Sequence, residues 1–258
     1  MLWQWSSKAM AKKLLLDLNC DMGESAAMLA DGTEATLMQY ITSANIACGG
    51  HAGDRKTREA SVRLALEHGV RIGAHPSYPD YENFGRIEMP MAENKLEESI
   101  VEQIGALAET AARYGAYITH IKPHGALYHA ADRDAAIARI IARAAGRISP
   151  KSTLVGRAGS PMLPVWQETG FAVSGEAFAD RVYEANGKLR SRTLPDCMHS
   201  DPQKAAEQAW RIAQDHKIVA LDGTEVPIQA DTVCIHSDTS GSVAIARAVY
   251  ERLSKERI

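Results

Sequence analysis

The sequence predicts an α/β protein whose fold is an irregular seven-stranded β/α barrel. Strand and helix patterns alternate along the whole chain, which is typical of parallel β/α assemblies with right-handed crossovers. The predicted strands run into polar or charged clusters, and β/α barrels carry their active sites at the carboxyl ends of their strands. Seven strands is one fewer than a complete TIM barrel has, so we expect an incomplete or distorted TIM-like barrel, with a doubly wound sheet as the alternative.

The composition is that of an ordinary soluble globular protein. The chain has 258 residues, of which 45% are hydrophobic and 24% charged, and this favours one large domain. The net charge of −3 predicts no nucleic-acid partner, and no apolar run is long enough to predict a membrane span. Four scattered cysteines predict reduced thiols and a cytoplasmic location. Residues 1–9 fit no pattern, so we expect an N-terminal extension followed by one catalytic domain at 10–258.

The first half of the chain predicts four strands. They are expected at residues 14–19, 43–47, 70–74 and 118–122, with helices at 33–40, 54–68 and 92–114. Asp17, Asn19 and Asp21 alternate along the first strand, so they share a face, which we expect to point into the barrel. Asp54 can cap the second helix, and Gly69 is a typical residue at a helix end.

The second half predicts three more strands. They are expected at 153–156, 171–176 and 232–236, with helices at 134–145, 202–216 and 242–255 and a further helix opened by Pro161. A small hairpin or an insertion is expected within 223–229. Between the third strand and its helix lies a loop at 77–86 that contains Tyr78, Tyr81 and Phe84. We predict that this loop closes over the substrate, with the three aromatic side chains as apolar walls and Gly85 as a hinge. The alternative is a static surface loop.

Several strand-end residues have side chains suited to catalysis. Asp17, Asn19, Asp21 and Glu24 fall within eight residues, a density that suits a hard cation or a general base. Gly49 and Gly50 form a turn that presents His51, and His75 ends another strand. These positions predict a site at the mouth of the barrel.

Two cations in the pattern require an anionic partner. Lys122 is on the inward face of its strand, where a bare ammonium is not tolerated, so it needs Asp17, Asp21, Glu24 or an anionic substrate group. Arg181 can hold a carboxylate or phosphate, or can form an ordinary ion pair. The sequence contains neither a G-x-x-x-x-G-K-[ST] phosphate loop nor a G-x-G-x-x-G dinucleotide motif.

Five long motifs closely resemble those of the LamB/YcsF family, and the resemblance runs from about residue 14 to the last helix. The motifs are DLNCDMGE at 17–24, ANIACGGHAGD at 44–54, IGAHPSYPD at 72–80, IKPHGALY at 121–128 and EAFADR at 176–181. The resemblance implies an irregular seven-stranded barrel related to polysaccharide deacetylases. It also implies the function of the A subunit of a bacterial 5-oxoprolinase, which cleaves 5-oxo-L-proline to L-glutamate. That reaction implies ATP with Mg²⁺, and partner subunits B and C.

The residues can be assigned to this reaction as hypotheses. Asp21 or His51 is the general base, Lys122 and Arg181 hold phosphate or carboxylate, and His124 protonates the leaving nitrogen. The other expected substrate-binding residues are Asp17, Asn19, Glu24, Asn45, His75, Glu176 and His236.

Two alternative functions remain open. A metal-dependent amidohydrolase or carbohydrate deacetylase would place a divalent cation on Asp21, His51 and His124. A non-catalytic subunit would only capture a small acid for partner enzymes.

Overall fold

The computed structural model describes residues 14–254, and the extension predicted at residues 1–9 lies outside the described residues. Its strands are β1 (Asp17–Met22), β2 (Ser43–Ala47), β3 (Arg71–His75), β4 (His120–Ile121), β5 (Thr153–Arg157), β6 (Val173–Phe178), β7 (Lys217–Val219), β8 (Glu225–Pro227) and β9 (Thr232–Ile235). All strands except β7 and β8 form a closed parallel barrel in chain order. This confirms the seven-stranded barrel and rules out the doubly wound sheet.

Helices connect the strands around the outside of the barrel. They are α1 (Ala26–Ala30), α2 (Thr33–Met38), α3 (Arg55–His68), α4 (Glu93–Arg113), α5 (Gly125–Arg133), α6 (Ala135–Ile148), α7 (Met162–Glu168), α8 (Pro202–Asp215) and α9 (Ser242–Leu253). Asp54 caps α3 through a reciprocal capping box with Thr57, and Gly69 ends that helix in the left-handed conformation, as the sequence indicates. Helices α1 and α5 were not predicted from the sequence.

Some strand limits differ from those predicted, because pairing with neighbours decides them. Strand β1 starts at Asp17 rather than at residue 14, since its ladder with β9 begins at the pair Asp17 and Thr232. Strand β6 likewise starts at Val173, which pairs with Leu154 of β5. The predicted hairpin exists, but its first strand is β7, which lies before the predicted range.

The two faces of the strands have different surroundings. In β1, Leu18, Cys20 and Met22 are fully buried in the apolar layer between strands and helices. The alternate residues Asn19 and Asp21 point into the barrel, as the period of two requires. The apolar layer therefore stabilises the fold, while the interior face is free to carry polar groups.

The barrel interior holds a hydrogen-bonded polar network beneath the mouth. The Asn45 amide donates to Asn19 Oδ1 and to Asp21 Oδ1, each at 2.8 Å, and Asn45 Oδ1 lies 3.0 Å from His120 Nε2. Gly73 leaves room for that ring, because a Cβ there would stand 2.0 Å from His120 Nε2. Buried polar groups that satisfy one another in this way fix their geometry. The network therefore holds Asp21 in place from below.

Candidate active site

A cavity of about 470 Å³ opens at the carboxyl ends of the barrel strands, a volume suited to a small molecule. Most of the site residues expected from the sequence line it. These are Asp21, Glu24, His75, Lys122, His124, Glu176, Arg181 and His236.

Lys122 joins two buried carboxylates at the floor of the cavity. Its Nζ lies 2.9 Å from Asp21 Oδ1 and 2.9 Å from Glu176 Oε1. The Tyr128 hydroxyl donates to the other oxygen of Glu176 at 2.9 Å. Burial raises the pKa of Asp21, but its interactions with His75 and Lys122 outweigh this effect and hold that pKa well below the usual range. Asp21 is therefore an ionised carboxylate, and the Lys122 charge is already offset within the protein.

Three histidines surround the Glu24 carboxylate on one side of the cavity. Glu24 Oε1 lies 2.9 Å from His51 Nε2, 3.5 Å from His124 Nδ1 and 3.9 Å from His75 Nε2. The rings of His51 and His124 stack, with centroids 3.7 Å apart. The ligand-type atoms of these four residues all lie within 4.8 Å of one another. Imidazole nitrogens and a carboxylate at such separations form a donor set that suits a divalent metal ion.

The outer hydrogen bonds of two histidines orient them toward the centre of this cluster. His75 Nδ1 donates to the Lys122 carbonyl at 2.7 Å, and His124 Nε2 donates to the Phe84 carbonyl at 3.0 Å. The remaining nitrogens, His75 Nε2 and His124 Nδ1, face each other at 3.0 Å. Two lone pairs repel at that distance, so a proton or a metal ion has to lie between these nitrogens. Hydrogen bonds from a ring nitrogen to a backbone carbonyl typically orient imidazoles that bind metal ions.

Burial determines the protonation of the cluster. Burial lowers the pKa of His51 and of His124 well below the usual range, and the neighbouring histidines of the cluster add to the effect in both cases. Burial, and then the negative charge of Asp21, raise the pKa of Glu24 to about 7. A neighbouring cation would stabilise the ionised form of a carboxyl group whose pKa is raised in this way.

An Asp–His pair lies on another side of the cavity. His236 Nδ1 donates to Asp180 Oδ1 at 2.9 Å, and the His236 backbone N–H donates to Asp180 Oδ2 at 2.9 Å. Asp180 is fully buried, and its interaction and hydrogen bonds with His236 keep its pKa low against the opposing effect of burial. His236 lines the cavity, and its Nε2 has no hydrogen-bond partner among residues 14–254. That nitrogen is therefore available to a ligand.

The loop at 77–86 forms part of the cavity wall. Phe84 packs edge-on against His51 and His124, with centroids 5.3 Å away in both cases, and its backbone is left-handed with φ of 56°. Gly85 lies so close to the cluster that a Cβ would stand 2.8 Å from His51 Cβ. Tyr78 is buried, whereas Tyr81 is 65% exposed and supplies no apolar wall. Closure of this loop remains a prediction.

Four expected site residues do not line the cavity. His51 lies directly behind it, stacked on His124, while Asn19 and Asn45 belong to the interior network below. Asp17 lies at the opposite end of β1, where Arg71, Thr42, Ser43 and Thr232 bind it. Strand β1 puts Asp17 and Asp21 on one face but at different depths, and a shared face does not imply a shared site.

Three residues of the site had no role assigned from the sequence. Asp180 and Tyr128 fall inside the quoted motifs, but only the tertiary contacts show that they bind His236 and Glu176. Arg192 lies in the long polar segment before α8, and nothing in its local sequence distinguishes it from a surface arginine.

Comparison with known proteins places the chain in a family. The model of the LamB/YcsF family matches residues 16–258. The chain belongs to this family. The finding confirms the resemblance carried by the five motifs.

Relatives of the chain have names that agree with one another. The A subunit of 5-oxoprolinase from Chloroflexus aggregans is 47% identical, covering 93% of this chain and 95% of the relative. The A subunit of 5-oxoprolinase from Geobacillus kaustophilus is 42% identical, covering 94% of both chains. The crystal structure of a lactam utilization protein from Thermus thermophilus superposes with a TM-score of 0.85 at 41% identity, covering 92% of this chain and 95% of that one.

No helix within the described part of the chain is long and apolar enough to span a membrane. The four cysteines are free and buried.

Proposed function

We propose that this protein is the lactam-hydrolysing subunit of a 5-oxoprolinase and opens 5-oxo-L-proline to L-glutamate. The names of its relatives support this assignment. The observation that carries it is the cavity, which combines an ionised Asp21, a cluster of three histidines with Glu24, and an Arg181 without a carboxylate partner among the described residues. An anionic cyclic amide needs these groups, since its carbonyl must be activated and its carboxylate must be bound.

The finer parts of the assignment concern ATP, partners and location. A lactam is a stable amide, and phosphorylation of its oxygen would make the ring carbon electrophilic. We therefore propose ATP, with Mg²⁺, as a co-substrate of an assembly with subunits B and C, in the cytoplasm. The sequence lacks a G-x-x-x-x-G-K-[ST] loop, so the proposal assigns ATP to the assembly without assigning it to one subunit.

We propose that Glu24, His51, His75 and His124 hold a divalent metal ion. Asp21 was expected among the ligands, but its oxygens contact Lys122, Asn45 and His75. Glu24 takes its place because one of its oxygens faces all three imidazoles. A metal ion bound there would polarise the substrate carbonyl or acidify a water molecule.

The chain's own residues supply the proton transfers. Asp21 accepts a proton from the attacking water, and Lys122 and the network around Asn45 hold it in position. His51 is the weaker candidate for the base, because its Nε2 is engaged by Glu24.

The leaving nitrogen also needs a proton. Both ring nitrogens of His124 are engaged, one by His75 and one by the Phe84 carbonyl. His236 has the open Nε2, and Asp180 orients its ring. We therefore assign the general acid to the doubly protonated form of His236, which gives its Nε2 proton to the leaving nitrogen, rather than to His124.

The decisive experiment measures glutamate release from 5-oxoproline and ATP, with and without the two partner subunits. Asp21→Asn should lower kcat by about 10²- to 10⁴-fold in the full assembly. Asp31→Asn is the matched control, since Asp31 is exposed on the loop between α1 and α2. Full activity of Asp21→Asn would refute its role as the base.

Two further assays separate the alternative functions. Release of acetate from acetylated sugars, without glutamate release, would identify a carbohydrate deacetylase. Binding of 5-oxoproline to a chain whose complete assembly releases no glutamate would favour the non-catalytic alternative.

Metal content tests the proposed ligands independently of activity. Metal analysis of the purified protein and calorimetric titration with Zn²⁺ or Mn²⁺ should show one site, and His51→Gln should weaken it. His129→Gln is the control, because His129 is an exposed histidine that lines the same cavity. Equal metal affinity of His51→Gln and the unmodified protein would contradict the assignment.

A further inference from the structure

Arg181 is a buried cation that forms no salt bridge within the described part of the chain. Arg181 is 4% exposed, and no carboxylate among residues 14–254 lies within salt-bridging distance of its guanidinium. Its Nη2 donates to the Arg190 carbonyl at 2.6 Å, while its Nε is buried with no partner. A buried guanidinium is stable only when its charge and its donors are satisfied.

The other cations that line the cavity differ in this respect. Lys122 is offset by Asp21 and Glu176. Two arginines also have close carboxylates: Arg190 pairs with Glu184 at 2.7 Å and Asp196 at 2.8 Å, and Arg86 pairs with Asp238 at 2.7 Å.

Arg192 is the second cation with little compensation. Its nearest carboxylate is Asp238, at 3.9 Å, and Asp238 already binds Arg86. Burial, followed by the positive charge of Arg192, lowers the pKa of Arg181, so the two guanidinium groups repel each other. An anion placed between them would relieve this repulsion.

We propose that Arg181 and Arg192 form a carboxylate subsite that receives the carboxylate of the lactam substrate, an inference that rests on the proposed function. Guanidinium groups bind carboxylates through paired, charge-assisted hydrogen bonds. The subsite selects lactams that carry an acid over neutral lactams of the same ring size.

The barrel topology gives the substrate an orientation. The metal-type cluster follows β1 to β4, whereas Arg181 follows β6 and Arg192 lies in the segment after it. In 5-oxoproline the carbonyl carbon and the carboxylate-bearing carbon flank the ring nitrogen. With its carboxylate at Arg181, the ring can therefore turn its carbonyl toward Asp21 and the histidines.

The test compares two ligands by calorimetry on the full chain. The ligands are 5-oxoproline and 2-pyrrolidinone, which has the same lactam ring without the carboxylate. Arg181→Gln should weaken 5-oxoproline binding by about 10- to 100-fold and Arg192→Gln by a smaller factor, while 2-pyrrolidinone binding stays the same. Arg139→Gln removes the same charge from the exposed face of α6 and should change neither affinity.

Folding of each variant is checked by thermal melting. Arg192 has a side chain that is 37% exposed, so Arg192→Gln keeps the test valid if Arg181→Gln does not fold. Unchanged 5-oxoproline affinity in Arg192→Gln and in any folded Arg181→Gln protein would overturn the subsite, as would an unmodified protein that does not bind 5-oxoproline.

Inorganic phosphate is the third probe. If phosphate binds these arginines more tightly than 5-oxoproline does, the subsite belongs to a phosphoryl group and the carboxylate assignment is wrong. Glutamate release by the complete assembly is measured in a separate assay. Arginine-dependent binding of 5-oxoproline without glutamate release would keep the subsite and refute the proposed function.

Discussion

His236 Nδ1 donates to Asp180 Oδ1 at 2.9 Å and thereby joins the ends of two neighbouring strands, β9 and β6. Because Nδ1 donates its proton to Asp180, the carboxylate fixes the orientation of the imidazole ring. The His236 ring also stacks on Phe178, with centroids 5.8 Å apart. The open Nε2 is thus held at a defined position in the cavity.

Replacing Asp180 should disturb the orientation of His236 without weakening substrate binding. We expect Asp180→Asn to lower kcat by about 10²-fold or more with little change in KM, since His236 loses the group that orients it. Thr239→Val is the control, because the Thr239 side chain also donates to Asp180, at 3.2 Å, while its only hydrogen bond with His236 is a backbone one that valine keeps. Steady-state glutamate release measures both variants. Equal kcat values for the two variants would refute the role of the pair.

Removing the Lys122 ammonium should destabilise the protein. Lys122→Met leaves Asp21 and Glu176 buried without their cation, and breaking a buried pair of this kind costs about 3–5 kcal/mol of unfolding free energy. Lys95→Met removes an exposed pair with Glu98 and should cost less than about 1 kcal/mol. Urea unfolding compares the variants. A stability loss as small in Lys122→Met as in Lys95→Met would show that the buried pair contributes little.

Because of Glu34, the free energy of unfolding should fall as pH rises. It is buried in α2, where it accepts hydrogen bonds from the Gly23 N–H and the Ser61 hydroxyl, and burial raises its pKa from 4.5 to about 7. Between those two values the folded protein keeps a proton that the unfolded chain has lost, so unfolding free energy decreases with pH in this window. The decrease should reach about 3 kcal/mol above pH 7.

Glu34→Gln tests this assignment. The variant lacks the titrating group, so the stability of Glu34→Gln relative to the unmodified protein should rise from pH 4.5 to pH 7 and then level off. Urea unfolding at several pH values gives the difference. A difference that does not vary with pH would show that Glu34 has an ordinary pKa.

The His120 ring should leave room for no residue larger than glycine at position 73. An alanine Cβ would stand 2.0 Å from His120 Nε2, and overpacking of this kind costs about 1–3 kcal/mol. Gly73→Ala combined with His120→Ala should recover much of that loss in a double-mutant cycle. Gly105→Ala, in α4, meets only Ile148 Cδ1 at 3.8 Å and should not destabilise. Strictly additive losses at Gly73 and His120 would show that the ring is not the cause.

Much of the candidate site could be predicted from local sequence. The period of two in a strand places Asn19 with Asp21, and a strand followed by two glycines presents His51 at a turn. The structure puts Asn19 and Asp21 on the interior face and His51 in the cluster beside Glu24. These features depend on backbone geometry over a few residues, so short patterns contain them.

Local sequence indicated several candidate partners for Lys122, Asp21 among them, but it could not decide which residues pair across the barrel. Asp21 and Lys122 are 101 residues apart, and Asp180 and His236 are 56 apart, yet each pair is in direct contact. The strand limits at Asp17 and Val173 also depend on neighbours, since a ladder extends only as far as both of its strands.

The sequence by itself determined the alternation of strands and helices, the polar inward faces and the family motifs. All three depend only on the order of residues over short stretches of the chain. Only the tertiary structure decided which charges are satisfied. Closure of the barrel puts Asp17 at one end with Arg71 and Asp21 at the other with Lys122. It also leaves Arg181 without a carboxylate partner among the described residues. Electrostatic interactions depend on distance through space, and the fold alone sets those distances.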